Sequence, residues 1–66
     1  MHKKKLTNRE LEILRAASLG YTCKQIANHY YNVEQTIKNH MYHVRKKLGA
    51  INTPHAVAIA KDKGLI

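Results

Sequence analysis

Signals that start and stop helices recur at short intervals along this chain, so only short helical segments fit between them. Thr7 with Glu10, and Thr22 with Gln25, have the spacing of a capping box, in which each side chain bonds the other residue's backbone amide. Three glycines follow the apolar helical patterns and end them: Gly20, Gly49 and Gly64. β-Branched residues do not alternate as they would in a strand. The sequence therefore predicts an all-α fold, with four helices around one small core.

The predicted helices have approximate bounds of 8–18, 23–30, 33–48 and 54–63, within a single domain of residues 6–66. For the basic tail, residues 1–5, two interpretations stay open: a solvated tail and an arm that touches phosphate. Asn32 is the expected N-cap of the third helix, with Gln35 as its reciprocal partner. Thr53 and Pro54 are expected as the N-cap and first position of the fourth helix, because proline lacks only an amide that would be unpaired there.

The charge balance favours a polyanion as partner. Twelve Lys and Arg residues against four acids give a net charge of +8 on 66 residues, so nucleic acid is the first candidate and an anionic membrane surface the second. The single cysteine, Cys23, cannot form an internal disulfide, which fits a reducing cytoplasm. No apolar run approaches the ~18 residues that a membrane span needs. A cytoplasmic protein that does not enter a membrane is expected.

The third predicted helix has one apolar face and one polar, basic face. At roughly 100° per residue, the apolar stripe consists of Val33, Ile37, Met41, Val44 and Leu48. The opposite stripe consists of Gln35, Lys38, Asn39, Tyr42 and Lys46. It mixes cations with hydrogen-bonding groups, as a surface that reads base edges beside phosphates requires. Glu34 is the only acid between Glu12 and Asp62, so this is not an ordinary solvated face of interleaved Glu and Lys.

Other reactive residues have plainer interpretations. Cys23, His29, His40 and His43 lack the spacing of a zinc site, so no metal is expected. Cys23 follows a helix cap and is interpreted as a half-buried packing residue, with a redox switch as the alternative. His40 lies at the edge of the apolar stripe and is interpreted as a packed histidine. The chain has no glycine-rich phosphate loop and no paired carboxylates, so neither an enzyme nor a cofactor is expected.

Several stretches of the chain carry a pattern with fixed spacing. They are Leu6–Glu10 with Ile13–Leu14, Gly20, Thr22–Ala27, Thr36–His40, Lys47–Gly49, Ala56–Val57 and Gly64–Ile66. Together they cover nearly the whole chain without an interruption. By these residues the chain resembles the LuxR-type helix-turn-helix domain of quorum-sensing activators and NarL-like response regulators, and most of all the stand-alone members of the GerE type.

The resemblance implies that the third helix enters the major groove of duplex DNA and that the fourth pairs two subunits. It implies base contacts by Lys38, Asn39 and Tyr42, to which the outward face adds Gln35. It implies phosphate contacts by Thr22, Lys24, Thr36 and Lys47, to which the outward face adds Lys46. Packing of the fourth helix is expected to leave Ala58 and Ile59 on its outer side as the dimer contact.

The chain departs from the family pattern in three places. The family has an apolar residue and then Ser ahead of the recognition helix, where this chain has Asn32 and Val33. Tyr30 replaces a leucine, so its hydroxyl needs a partner or must reach water. Thr53 stands where the family often has Arg, so any bond of that Arg is missing.

Two other classes of protein compete with this interpretation. One is an interaction module of the sigma region 4 type, which binds RNA polymerase or another factor and shares the Leu-x-x-Arg-Glu opening. It usually lacks the fourth helix ending at Gly64–Ile66. The other is a cationic membrane-active peptide, which the separately capped helices argue against. The expectation is a transcriptional regulator that binds double-stranded DNA as a homodimer, with RNA polymerase as a further candidate partner.

Overall fold

Four α-helices make up the regular structure of residues 5–66. The computed structural model describes residues 5–66, and its helices are α1 (Asn8–Ser18), α2 (Cys23–His29), α3 (Glu34–Leu48) and α4 (Thr53–Asp62). No strand occurs within residues 5–66, so the predicted all-α class is confirmed. Of the predicted basic tail, residues 1–4 lie outside the described residues.

Both predicted capping boxes are present. The Thr7 hydroxyl accepts from the Glu10 amide at 3.1 Å, while the Thr7 amide donates to Glu10 Oε1 at 2.8 Å. The Thr22 hydroxyl accepts from the Gln25 amide at 3.2 Å, and the Thr22 amide donates to Gln25 Oε1 at 2.8 Å. Each box pairs amides that the first turn of a helix leaves without an internal acceptor. The starts of α1 and α2 are therefore fixed by local sequence.

The other two predicted caps are wrong, each by one residue. The Asn32 side chain accepts from the adjacent Val33 amide at 2.8 Å, so it cannot reach the amides two and three positions further on. Val33 is the N-cap of α3 instead, and its side chain makes no capping bond. In α4 the cap is Asn52, whose oxygen accepts from the His55 amide at 2.8 Å. Thr53 consequently lies inside the first turn of α4.

Positive backbone φ angles occur at three glycines and, among residues 5–66, at one residue that carries a side chain. Gly49 ends α3 with φ of 70°, and the following Ala50 amide donates to the Arg45 carbonyl at 2.9 Å. This is the conformation that glycine adopts without steric cost. Tyr31, between α2 and α3, has φ of 54° although it carries a side chain. That side chain is 99% exposed, so the turn presents a tyrosine to solvent.

The hydrophobic core draws residues from every helix. Its nine members are Ile13, Leu14, Ile26, Ala27, Ile37, Met41, Val44, Ala56 and Ala60. Helix α3 contributes three of them and contacts each of the other three helices. Residues after α4 also take part, because Leu65 and Ile66 pack against this core. Within residues 5–66, no helix is long and apolar enough to cross a membrane.

A buried ion pair joins the start of α1 to the end of α3. Glu10 is the only charged or polar residue that is fully buried in the described chain, at 5% exposure. Its Oε1 lies 2.7 Å from the Lys47 ammonium, which also donates to the Lys5 carbonyl at 3.2 Å. Burial raises the pKa of the Glu10 carboxyl, but the bonds from Lys47 and Thr7 outweigh burial and hold that pKa below its ordinary value.

Removing Lys47 should therefore destabilise the domain. Lys47→Met leaves the Glu10 carboxylate buried without its cation, and we expect the free energy of unfolding to fall by about 3 kcal/mol. Lys46→Met is the matched control, because the neighbouring Lys46 is exposed and a surface change costs within about 0.5 kcal/mol. Urea unfolding measures both variants. Equal losses in the two would contradict a structural role for the ion pair.

Candidate nucleic-acid interface

The exposed face of α3 carries the side chains that the sequence assigned to base contacts. Gln35, Lys38, Asn39 and Tyr42 are all exposed. The opposite side of the helix is buried through Ile37, Met41 and Val44. The core therefore fixes which side of α3 faces outward. A helix with its side chains is about 10–12 Å wide, which fits the ≈ 12 Å major groove of B-DNA.

The side chains on this face are paired along the helix. Gln35 Nε2 donates to Asn39 Oδ1 at 3.1 Å, four residues apart. The Lys38 ammonium lies 3.3 Å from Glu34 Oε2, also four residues away. Such pairs join successive turns of one helix. They restrict the rotamers of the polar side chains before any ligand is bound.

An aromatic side chain and a cation continue the same face toward the end of α3. The Lys46 ammonium lies 5.7 Å from the centroid of the Tyr42 ring, within the range of a cation–π contact. The His43 ring meets the Tyr42 ring edge-on, with centroids 5.6 Å apart. His43 is exposed, although the predicted outward stripe of the third helix did not include it. The amphipathic pattern could have found it, because it lies seven residues after Thr36 on the same helical row.

The residues assigned to phosphate contacts have unequal surroundings. Thr22 and Lys24 are exposed at the start of α2, and Lys46 is exposed on α3. Thr36 is half-buried in the first turn of α3. Lys47 differs from all of these, since its side chain is only 17% exposed and its ammonium bonds Glu10. The charge on Lys47 therefore has an internal partner.

The excess of cations over acids makes the surface formed by α2 and α3 positive. Three of the four acids of the chain form ion pairs, Arg9–Glu12 at 3.7 Å, Glu34–Lys38 and Glu10–Lys47. Because Lys and Arg number twelve, most cations have no acid to neutralise them. Within α2 and α3 the only acid is Glu34. A positive surface of this kind attracts a polyanion over distances near the Debye length, ≈ 8 Å at physiological salt.

Tyr30 and Cys23 both have packing roles. The Arg9 guanidinium lies 4.1 Å from the centroid of the Tyr30 ring, and Tyr30 packs against the core from the end of α2. The described residues hold no buried side-chain polar atom without a partner, so the Tyr30 hydroxyl is not left unpaired inside the core. Cys23 is half-buried against the core, and His40 is half-buried on α3. Within residues 5–66, no three His, Cys, Asp or Glu side chains cluster as metal ligands would.

The residues assigned to a dimer contact differ in exposure. Ala58 is exposed on α4, whereas Ile59 is half-buried. Ala56 and Ala60 are fully buried on the inner side of the helix. Small residues therefore dominate the inner side of α4, and Ala58 lies on its outer side.

Comparison with known proteins decides the family. The model of the family described as "Bacterial regulatory proteins, luxR family" matches residues 4–60. The chain belongs to this luxR family. It is a helix-turn-helix domain of DNA-binding transcriptional regulators, a family that is not enzymatic. The family predicted from the residue pattern is thereby confirmed.

Relatives of this luxR-family domain are longer than the chain itself. It is 44% identical over 61 residues to the uncharacterized transcriptional regulatory protein YvfU of Bacillus subtilis, covering 92% of this chain and 30% of that protein. It is 40% identical over 60 residues to the transcriptional activator protein ExpR of Dickeya dadantii, covering 91% of this chain and 24% of that protein. The chain thus spans 24–30% of the length of these relatives.

A solved structure matches the fold closely. It is the crystal structure of the response regulator ChrA of a heme-sensing two-component system, with a TM-score of 0.94 and 33% sequence identity. The match covers all of this chain and 33% of ChrA. The four-helix arrangement of the luxR-family domain is therefore shared with ChrA.

The missing cap at the start of α3 yields a stability prediction. Val33 is 64% exposed and cannot accept a hydrogen bond through its side chain. Val33→Ser supplies a hydroxyl to the free amides of the first turn and should raise the free energy of unfolding by about 1 kcal/mol. Val33→Ala, which shortens the side chain without adding an acceptor, is the control and should give no gain. If urea unfolding shows the same change in both variants, the start of α3 is not limited by its cap.

Proposed function

We propose that this domain binds duplex DNA sequence-specifically, with α3 in the major groove. The observation that carries the proposal is the exposed face of α3, where cationic and amide side chains stand together on one side of a helix whose other side is buried. Base edges in the major groove present both donors and acceptors, so a surface that reads them must offer both. The domain then acts on the chromosome, in the cytoplasm.

Four side chains are proposed to contact base edges, and each has suitable chemistry. Lys38 can donate to guanine O6 and N7, while Asn39 and Gln35 can form paired bonds with adenine N6 and N7. Tyr42 can donate through its hydroxyl and can pack its ring against a thymine methyl group. Since Gln35 bonds Asn39 in the free domain, that bond is exchanged for bonds to bases on binding.

Phosphate contacts are proposed for Thr22, Lys24, Thr36 and Lys46. The exposed ammonium groups can neutralise phosphates, and the threonine hydroxyls can donate to phosphate oxygens. Lys47 leaves this set, because its ammonium bonds Glu10 and the Lys5 carbonyl. If the Lys47 ammonium moved to a phosphate, the buried Glu10 carboxylate would lose its cation.

Alanine substitutions on α3 test the proposal once an operator has been selected from random duplexes with the parent protein. Lys38→Ala and Asn39→Ala should each cost about 1–3 kcal/mol of binding free energy at the operator and much less on random duplex. Arg15→Ala, an exposed change on α1, is the control and should preserve the ratio of the two affinities. Equal losses of affinity on operator and random duplex for both α3 variants would contradict the assignment of base contacts to Lys38 and Asn39.

The salt dependence separates phosphate contacts from base contacts. The logarithm of the binding constant should fall linearly with the logarithm of the salt concentration, by about 0.9 for each phosphate neutralised. Lys24→Ala should reduce that slope by about one unit and weaken both duplexes alike. Binding that does not respond to salt would exclude nucleic acid as the main partner.

We further propose that two copies bind one operator through α4, with the exposed Ala58 and the half-buried Ile59 at the contact. A single small domain offers limited surface for tight specific binding, whereas two copies double the contacts and impose a two-fold symmetry on the site. The operator should then contain inverted half-sites whose centres are roughly 10 base pairs apart. RNA polymerase is a further proposed partner, reached from the DNA-bound dimer.

Charges placed on α4 test the dimer. Ile59→Asp and Ala58→Asp should each abolish cooperative occupancy of a full operator, because two like charges would face each other across the symmetric contact. Affinity for an isolated half-site serves as the control for the change in net charge, and thermal unfolding checks that each variant folds. If both variants keep the parent's ratio of full-site to half-site affinity, α4 is not the dimer contact.

A further inference from the structure

One acid stands on the surface that the proposed function assigns to DNA. Glu34 begins α3 and is the only acid between Glu12 and Asp62. Its side chain is 45% exposed, and its Oε2 lies 3.3 Å from the ammonium of Lys38, one turn further along the helix. A carboxylate close to DNA is repelled by the phosphates. Because Glu34 lies beside Lys38, which is proposed to contact a base, we expect its charge to affect DNA binding.

The ion pair affects base edges and phosphates differently. An ammonium group has three donors, and the pair with Glu34 uses one of them. Two donors of Lys38 remain for the O6 and N7 atoms of a guanine, which carry no net charge. A phosphate oxygen approaching the same ammonium is negatively charged and is repelled by the Glu34 carboxylate. Lys38 paired in this way is suited to a base edge and is a poor partner for a phosphate.

We propose that Glu34 is a positioning residue for specificity, which lowers the affinity for random duplex through its ion pair with Lys38 and spares the affinity for the operator. The inference rests on the proposed function, since it requires Lys38 at a base edge. A comparison pair exists elsewhere in the domain. Glu12 is similarly exposed, at 50%, and lies 3.7 Å from Arg9 on α1, a helix without any proposed DNA contact.

Glu34→Gln tests the inference, because it removes the charge and keeps the shape of the side chain. Affinity for random duplex should rise about two- to five-fold, the scale of one exposed ion pair. The salt slope on random duplex should steepen by about 0.9, because Lys38 is then free to neutralise one more phosphate. Affinity for the selected operator should stay within about two-fold of the parent, so the ratio of the two affinities falls.

Glu12→Gln is the matched control, because it removes one exposed acid and should change both affinities by the same factor. In a Lys38→Ala background, Glu34→Gln should leave the ratio of operator to random-duplex affinity unchanged, as Glu12→Gln does, because no ion pair is left to break and the remaining repulsion between Glu34 and the phosphates acts on both duplexes alike. An unchanged affinity ratio in Glu34→Gln, or an equal fall in both single variants, would overturn the inference, as would a full effect in the Lys38→Ala background.

Failure of the proposed function has a separate signature. In that case the parent protein itself shows no preference for the selected operator over random duplex. If the parent discriminates and Glu34→Gln discriminates equally well, only the inference about Glu34 fails.

Discussion

One buried ion pair, between Glu10 and Lys47, ties the last turn of α3 to the first turn of α1. Glu10 Oε1 accepts both from the Thr7 amide at 2.8 Å and from the Lys47 ammonium at 2.7 Å. One carboxylate thus closes the capping box of α1 and anchors the last turn of α3. In the described part of the chain the core contains nine buried hydrophobic residues, and a core of such a domain rarely supplies more than about 3–5 kcal/mol. Loss of the Lys47 cation would therefore remove a large share of the stability of the domain.

The consequence for function follows from the geometry of α3. Its buried residues, with Lys47 at the last turn, fix the rotation of the helix, and the rotation fixes which side chains face outward. On that outward side the pairs Gln35–Asn39 and Glu34–Lys38 restrict the polar groups further. Side chains that are already restricted lose less conformational entropy on binding. The contacts that hold α3 in the fold therefore also orient the side chains that are proposed to contact the bases.

Much of the fold was predictable because its determinants are local. The capping boxes at Thr7 and Thr22 require only residues three positions apart, and both predictions were confirmed. The cap predicted at Asn32 failed for a reason outside local propensity. Tyr31 takes a left-handed conformation, the Asn32 amide donates to the Ala27 carbonyl at 2.9 Å, and the Asn32 side chain turns to the next amide. Position 31 is neither a glycine nor an asparagine, the residues that usually indicate a left-handed turn, so this turn could not be predicted from local sequence.

The candidate nucleic-acid interface was predictable only where local sequence determines it. Helical periodicity identified the outward face of α3, since that face is defined by the spacing of apolar residues alone. It could not identify the partner of Lys47, which lies 37 positions away in sequence. Lys46 and Lys47 are neighbouring cations in the sequence, yet one is exposed and the other is bound to a buried carboxylate. Such pairings depend on tertiary packing, which local sequence does not specify.

Chemical-shift mapping of the domain with its selected operator duplex tests most directly whether α3 is the helix that binds DNA. In a titration of ¹⁵N-labelled protein, the largest amide shift changes should fall in the first three turns of α3 and at Thr22–Lys24. The outer side of α1, marked by Glu12 and Arg15, should change little. Largest changes on α1 or α4, with α3 unaffected, would contradict the central claim that α3 is the helix that binds DNA.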